Sequence, residues 1–482
     1  MSSWQERDLR RVWHPCSQMK DYEEFPPIVV ERGQGAWLYD LDGKAYLDAI
    51  SSWWTNLHGH AHPRIAAAIA RQAQALEQVI FANFSHRPAI LLAEALCDLL
   101  PAGLTRVFYA DNGSAAVEVA LKMSFQYHQQ SGQPGRRRFA ALGGSYHGET
   151  LGALAVGDLD LYSAVYRPIL MDTLRVEGPD CYRCPFGKRR ESCDAECFGA
   201  MERTLAEQGQ ELCAVIVEPL VQCAAGMRIY PPAYLRKLRA ATRAHGVHLI
   251  ADEIAVGFGR TGRMFACEHA GIEPDLVCVS KGLTGGFLPL SAVVTNEQIY
   301  GAFYADYAEQ RAFMHSHSYT GNPIACAAAL ENLALFREER TLERVGALGR
   351  ALEALARPAL EPLEFVGEYR QVGLVGALEL VEDRETRRGF DASLRVGYRA
   401  YRKAVERGVL LRPIGNVLYF MPPYCVTEDE LELLVTTARE CAAEAVQEVR
   451  RAGSAGEGSS LVPGSLGESP GQGGMAASSR SE

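Results

Sequence analysis

Two short apolar runs in this chain each close on a charged side chain, and that pattern limits the architectures open to it. VHLIA (residues 247–251) leads into Asp252, and LVCVS (residues 276–280) leads into Lys281. Unbroken apolar, β-branched runs of this length read as strands buried on both faces, the kind found in parallel sheets covered by helices. Ligands in such sheets bind beyond the carboxyl ends of the strands, which is where Asp252 and Lys281 fall. An ammonium in apolar surroundings is costly to keep charged, so a lysine there loses its proton, pairs with an acid or forms an imine. The glycines of KGLTGG directly after it let backbone approach a bulky ligand. The competing readings are a surface lysine at a strand end, and an Asp252 and Glu253 that cap the next segment or pair with Arg260. Polar groups at the ends of two neighbouring strands weigh against both.

Two further segments add chemistry. VFYA runs into Asp111, Asn112, Gly113 and Ser114 and then into an amphipathic helix with apolar residues at Val117, Ala120, Leu121 and Phe125. A helix N-terminus presents unbonded N–H groups and the positive end of the helix dipole, which suits a phosphate, and Ser114 adds a hydroxyl. An ordinary N-cap is the alternative. In GGSYHGETLGA, Tyr146 and His147 occupy a glycine-rich turn, where the tyrosine ring can cover a planar ligand or simply fill the core.

Taken together, these segments resemble the class III (ω-amino acid) aminotransferases of pyridoxal phosphate fold type I, over about residues 13–446. The resemblance implies an α/β protein, a large domain with a mostly parallel sheet plus a smaller α/β C-terminal domain, using pyridoxal 5′-phosphate. It implies that Lys281 binds the cofactor as a Schiff base and moves the proton, and that Asp252 holds the pyridinium, keeping the ring an electron sink. Gly113 and Ser114 would bind phosphate and Tyr146 would stack on the ring. In HSHSYTGNP, Ser318 aligns with a threonine lent to the phosphate by the neighbouring subunit, with His317 beside it, which implies a homodimer with shared sites. WHPCSQMKDY, AISSWWTNLHGHAHP, ADEIAVGFGRTGRMFACEHAGIEPDL and LLRPIGNVLYFMPPY are similar to the branch of the family that converts 8-amino-7-oxononanoate to 7,8-diaminononanoate in biotin synthesis. That branch implies substrate contacts at Trp53 (with Trp54 beside it), Tyr146, Ser316 and Arg412, whose planar guanidinium suits a carboxylate. Cys16 departs from it: an aromatic residue follows the His-Pro pair in the family, and a thiol covers far less area. The expected amino donor is S-adenosylmethionine, in a ping-pong reaction through pyridoxamine phosphate. Lysine as donor, another ω-amino acid or diamine aminotransferase, a fold-type I aminomutase, and a metal-binding protein on an inactive scaffold are the alternatives.

The 482 residues, 48% hydrophobic, suffice for one large and one smaller core. A net charge of −10 argues against nucleic acid as a partner. No apolar run approaches the ~20 residues of a membrane helix, and the polar start MSSWQERDLRR is unlike a secretory signal, so a cytoplasmic protein is expected. The organisation reads as an N-terminal active-site segment (1–60), a cofactor-binding domain (61–330) with a Cys-rich insertion at about 175–200, a small domain (331–450) and a disordered Gly/Ser-rich tail (451–482). Four of the 13 cysteines (Cys181, Cys184, Cys193, Cys197) cluster in that insertion, as a zinc or iron–sulfur site, free thiols or a disulfide. A chain ending at Arg451 is expected to retain full turnover in a steady-state assay; lost activity at unchanged yield would assign the tail a role.

Overall fold

The computed structural model describes residues 2–457. Its centre is a seven-stranded sheet, which runs Leu104–Ala110, Ser291–Asn296, Leu276–Val279, His248–Asp252, Leu212–Val217, Arg138–Leu142 and Thr173–Val176 from edge to edge. Ser291–Asn296 is antiparallel to both of its neighbours, and every other pairing is parallel. The expected mostly parallel sheet is therefore the one observed.

Every residue of Leu212–Val217, His248–Asp252 and Leu276–Val279 is buried. Alternation across the pleat puts side chains on both covered faces, so polar residues are confined to His248 and Asp252 at the two ends of one strand, and His248 pairs with Ser124 Oγ at 2.9 Å. Ile216, Ile250 and Cys278 pack with Ala116 and Val119 of the helix Gly113–Gln130. Val215, Val217 and Leu249 join Leu235 and Leu238 of the helix Pro232–His245 in a separate cluster. Each buried Val, Leu or Ile contributes about 1.5–3 kcal/mol of transfer free energy, so both helices are pinned by the same three strands. Arg239 adds a two-pronged ion pair to Asp275 at 2.6 and 3.0 Å, and Asp275 also accepts the Leu249 N–H at 2.8 Å.

The smaller α/β part is built on an antiparallel sheet of Val366–Val372, Val375–Asp383, Val417–Phe420 and Pro413–Ile414, with Arg388–Gly389 beside the second strand. The helices Thr341–Leu360, Val396–Glu406 and Glu428–Glu457 accompany it. The last of these continues past Ala452, where the sequence led us to expect disorder; residues 458–482 lie outside the described residues. The N-terminal strands Val30–Gln34, Trp37–Asp40 and Ala45–Asp48 do more than wrap a site. They form a four-stranded sheet with Val409–Leu410, in which Leu47 pairs with Val409. Among the described residues no helix is long and apolar enough to cross a membrane.

Candidate functional site

The parallel strands deliver their last residues to one edge of the sheet. Asp252 ends its strand there, with Oδ1 accepting the Ile254 N–H at 3.1 Å and Oδ2 held by His147 Nδ1 at 2.7 Å. His147, fully buried, comes from the glycine-rich turn after Arg138–Leu142. Lys281 leaves the adjacent strand in a left-handed conformation (φ 41°), its amine 5.4 Å from the centre of the Trp54 ring. Among the described residues it has no carboxylate within ion-pair distance. Burial pushes its pKa below the usual lysine range, outweighing the opposing pull of Asp252, Cys223 and Glu218.

Glu218 follows Leu212–Val217 as Asp252 follows His248–Ala251. Its Oε2 accepts the Tyr146 N–H at 3.1 Å and its Oε1 the Cys223 N–H at 3.0 Å. Burial, reinforced by the nearby Asp252 charge, lifts its pKa to about 8 against the pull of those N–H groups and of Lys281. Glu253 points away from this edge, to the backbone N–H groups of Ala266 and Cys267 at 2.9 and 2.8 Å. Capping, one of the readings open for both acids, is the whole role of Glu253, whereas Asp252 caps the Ile254 N–H with one oxygen and meets His147 with the other.

At the other end of the cavity the helix Gly113–Gln130 is capped by Asn112, whose Oδ1 accepts the Ala115 N–H at 3.0 Å. Ser114 is thereby released from capping: its Oγ accepts the Glu149 N–H at 2.9 Å, and its own proton is left to donate. The turn reaches this close only as glycine. At Gly148 (φ 124°) a Cβ would sit 1.8 Å from Ser114 Oγ. The cavity measures about 410 Å³, within the range of small-molecule sites, and Gly113, Ser114, Tyr146, Asp252, Lys281 and Trp54 line it.

Trp53, Arg412 and Cys16 lie outside that lining and form a mouth of their own. Tyr146 Oη donates to Glu149 Oε1 at 2.9 Å, the Cys16 thiol lies 3.8 Å from the same oxygen, and Arg412 Nη2 donates to the Cys16 carbonyl at 3.4 Å. The Arg412 guanidinium stacks 4.3 Å over Trp53. Burial and then Glu149 raise the Cys16 pKa, with Arg412 opposing.

The tryptophans stand on an unusual turn. Ser51, Ser52, Trp53 and Trp54 have φ of 51, 44, 69 and 73°, a left-handed run that costs about 1–2 kcal/mol per residue. Arg260, 1% exposed, clamps it by donating to Ser51 Oγ, Pro422 O, Trp54 O and Asn56 O at 2.9–3.1 Å. The ion pair between Arg260 and the acids at 252–253 that the sequence left open does not form.

Ser316, His317 and Ser318 do not line the cavity of this chain. The Ser318 carbonyl accepts Gln78 Nε2 at 2.8 Å, His317 N donates to Thr320 Oγ1 at 2.9 Å, and Ser316 and Ser318 are exposed. Sequence reasoning missed Glu218, Glu149 and Arg260. The first was within reach, because VIVEPL places it after an apolar run just as Asp252 is placed. Arg260 carries no local signal, since its partners are distant in sequence.

Residues 18–441 match the aminotransferase class-III family, and the chain belongs to it. An adenosylmethionine-8-amino-7-oxononanoate aminotransferase of Nitratidesulfovibrio vulgaris is 48% identical over 434 residues, covering 90% of this chain and 80% of that protein. One of Synechococcus elongatus is 47% identical over 425 residues, covering 87% and 96%. The crystal structure of the Methanocaldococcus jannaschii protein of that name superposes with a TM-score of 0.87 at 37% identity, covering 92% of this chain and 98% of that one. An ω-transaminase of Pseudomonas jessenii, solved in complex with PMP, gives a TM-score of 0.88 at 30% identity, covering 93% and 99%. The family implies pyridoxal phosphate, and the cavity fits it. A helix N-terminus with a donating hydroxyl suits its phosphate, a buried carboxylate braced by His147 suits its pyridine nitrogen, and an amine held below the usual lysine pKa suits its aldehyde.

Glu218 supplies a test of this electrostatic layout. Its folded-state pKa is raised, so the folded protein keeps a proton that the unfolded chain releases as pH rises from 4.5 to about 8. Stability relative to Glu218→Gln is therefore expected to be greatest at low pH, fall across that window and level off above it. Melting curves of both proteins between pH 5 and 9 check this, and parallel profiles would contradict it.

Proposed function

We propose that this protein transfers an amino group to 8-amino-7-oxononanoate, forming 7,8-diaminononanoate in biotin synthesis, with S-adenosylmethionine as donor. The observation that carries the reading is the pairing of Arg412 with Trp53 at the mouth of a cavity whose floor is Lys281. A substrate with a reactive ketone at one end, an aliphatic chain and a distant carboxylate matches a buried amine, tryptophan walls and one outlying cation. The names of the 48% and 47% identical relatives support the same reaction.

When bound, pyridoxal phosphate supplies the electron sink that acidifies the carbon bearing the amine, and carries nitrogen between the two substrates. The chain's own groups do the rest. Gly113 and Ser114 would hold the phosphate, and Tyr146 would lie against the ring. Asp252, oriented by His147, would hold the proton on the pyridine nitrogen. Lys281 Nζ accepts the proton from the substrate carbon and returns it, a task for which a lowered pKa helps by raising the neutral fraction. Trp54 shields that amine from water, and Arg412 anchors the carboxylate.

The active unit in this reading is a cytoplasmic homodimer in which residues 316–318 of one copy complete the cavity of the other. Support comes from the exposure of neighbouring apolar side chains, with Met314 at 86%, Tyr307 at 91% and Tyr304 at 78%.

The test mixes the cofactor-loaded protein with S-adenosylmethionine and, separately, with lysine, followed by the keto acid. A spectral change with S-adenosylmethionine and then diaminononanoate are expected; the same sequence with lysine alone would move the donor assignment to lysine. Silence with both, alongside a response to other amines, would refute the biotin reading. Lys281→Ala is expected to abolish turnover together with the absorbance of the lysine-bound cofactor. Arg412→Ala should raise KM for the keto acid about 10- to 100-fold while kcat changes less, as loss of a charge-assisted contact of roughly 1.5–3 kcal/mol requires. An unchanged KM would remove Arg412 from that role.

A further inference from the structure

Among the described residues the four cysteines of the insertion form no disulfide and no group arranged to hold an ion. A buried polar side chain without a task in the chemistry lies elsewhere, on the helix Pro323–Glu338. Asn332 is fully buried there, and the other buried residues of that helix are apolar. A side-chain amide is costly in such surroundings unless it is hydrogen-bonded, whereas leucine, of similar shape, carries no such cost. The contacts of the amide therefore show what it serves.

Asn332 Nδ2 donates to the carbonyls of Gly282 and Leu283, each at 3.0 Å. These two residues directly follow Lys281 and share with it the short turn Lys281–Thr284. The other end of the amide is pressed against the same segment: at Gly285 (φ 63°) a Cβ would stand 3.0 Å from Asn332 Oδ1. That oxygen has no hydrogen-bond partner. Asn332 thus uses both of its N–H groups on the turn and leaves its acceptor idle.

Lys281 has φ 41°, a left-handed conformation that is strained for any residue with a side chain. Strained backbone persists only where its surroundings over-determine it. On the strand side Ser280 supplies that restraint: its Oγ donates to the Leu290 carbonyl at 2.8 Å, and its carbonyl accepts the Leu283 N–H at 2.9 Å. On the far side the restraint comes from Asn332, which reaches in from a different helix. The direction of the Lys281 side chain follows from this backbone, and its amine ends 5.4 Å from the centre of the Trp54 ring.

We infer that Asn332 is a positioning residue for the transamination, its amide holding the turn in the conformation that aims Lys281 Nζ into the cavity. Asn332 does not line that cavity, so it acts through Lys281. This rests on the role proposed above for Lys281, whichever amine is the donor. Misplacing a reacting group by 1 Å or so can cost about 100-fold in rate, which sets the size of the effect.

The test compares the cofactor-loaded protein with Asn332→Leu and Asn332→Asp. Borohydride makes the bond between a lysine and the cofactor permanent, so intact mass after reduction, with no substrate present, gives the fraction of chains in which the bond exists. Lys281→Ala, expected to take no mark, identifies the lysine. Asn332→Leu is expected to lose about half of the mark or more, and its kcat to fall about 10- to 100-fold while KM for the keto acid changes less than about threefold. Asn332→Asp fills the same space but donates only while it holds a proton, so its kcat relative to the unmutated protein should fall as pH rises from about 6 to 9. Should Asn332→Leu fail to fold, that pH profile decides. Full marking with kcat within about twofold in Asn332→Leu, a loss confined to KM, or an Asn332→Asp ratio indifferent to pH would each overturn the inference and leave Lys281 in its role. An unmutated protein that takes no mark on Lys281 would overturn both.

Discussion

Burial of both faces of the central sheet is the constraint on which the rest depends. Because helices cover each side, the central strands are apolar in their interiors, and charged groups stand where those strands end. Parallel pairing places those ends at one edge, so Glu218, Asp252 and Lys281 converge although tens of residues separate them. The active edge is in this sense the place where the packing rule for the core is relaxed.

Relaxing it is costly, and the structure offsets that cost in different ways. Asp252 takes a direct bond from His147, and Glu218 takes two backbone N–H groups. Lys281 takes neither, and its ammonium is disfavoured as a result, which is the state a nucleophile and proton carrier requires. Arg260 is the extreme case: a buried guanidinium paired with no carboxylate, its two terminal nitrogens bonded to three carbonyls and a hydroxyl and its Nε left without a partner. Those bonds recover much of a desolvation penalty of several kcal/mol and hold a left-handed turn that would otherwise relax. The tryptophans thus stand on a strained turn held by Arg260 together with Asp48, which accepts a bond from Ser52 Oγ at 2.8 Å, and by Ser51 Oγ donating to the Met421 carbonyl at 2.7 Å.

Much of the site was legible because it follows local rules. An apolar run ending in Asp or Lys, a strand leading to a glycine and serine at a helix start, and an aromatic residue in a glycine-rich turn are each visible within a dozen residues. Lys281, Asp252, Gly113, Ser114 and Tyr146 come together as those rules predict. Glu218 obeys the same rule and went unread only because its neighbours offered no second signal. Arg260, Glu149 and the capping by Asn112 in place of Ser114 depend on which distant backbone groups come near, and periodicity says nothing of that. The pairing of residues 45–48 with 409–410, and a last helix that outruns its apolar pattern, were hidden for the same reason.

The sequence by itself determined the layered α/β architecture, the family and five of the residues that line one cavity, because strand burial and helix starts are properties of short segments. Only the tertiary structure decided which of two adjacent acids turns to the cavity and which caps a loop, that Cys16, Glu149, Arg412 and Trp53 meet at one mouth, and that residues 316–318 lie outside their own chain's cavity. Those outcomes are differences in solvation and contact between groups far apart in the chain, and such differences exist only once the chain has closed around them.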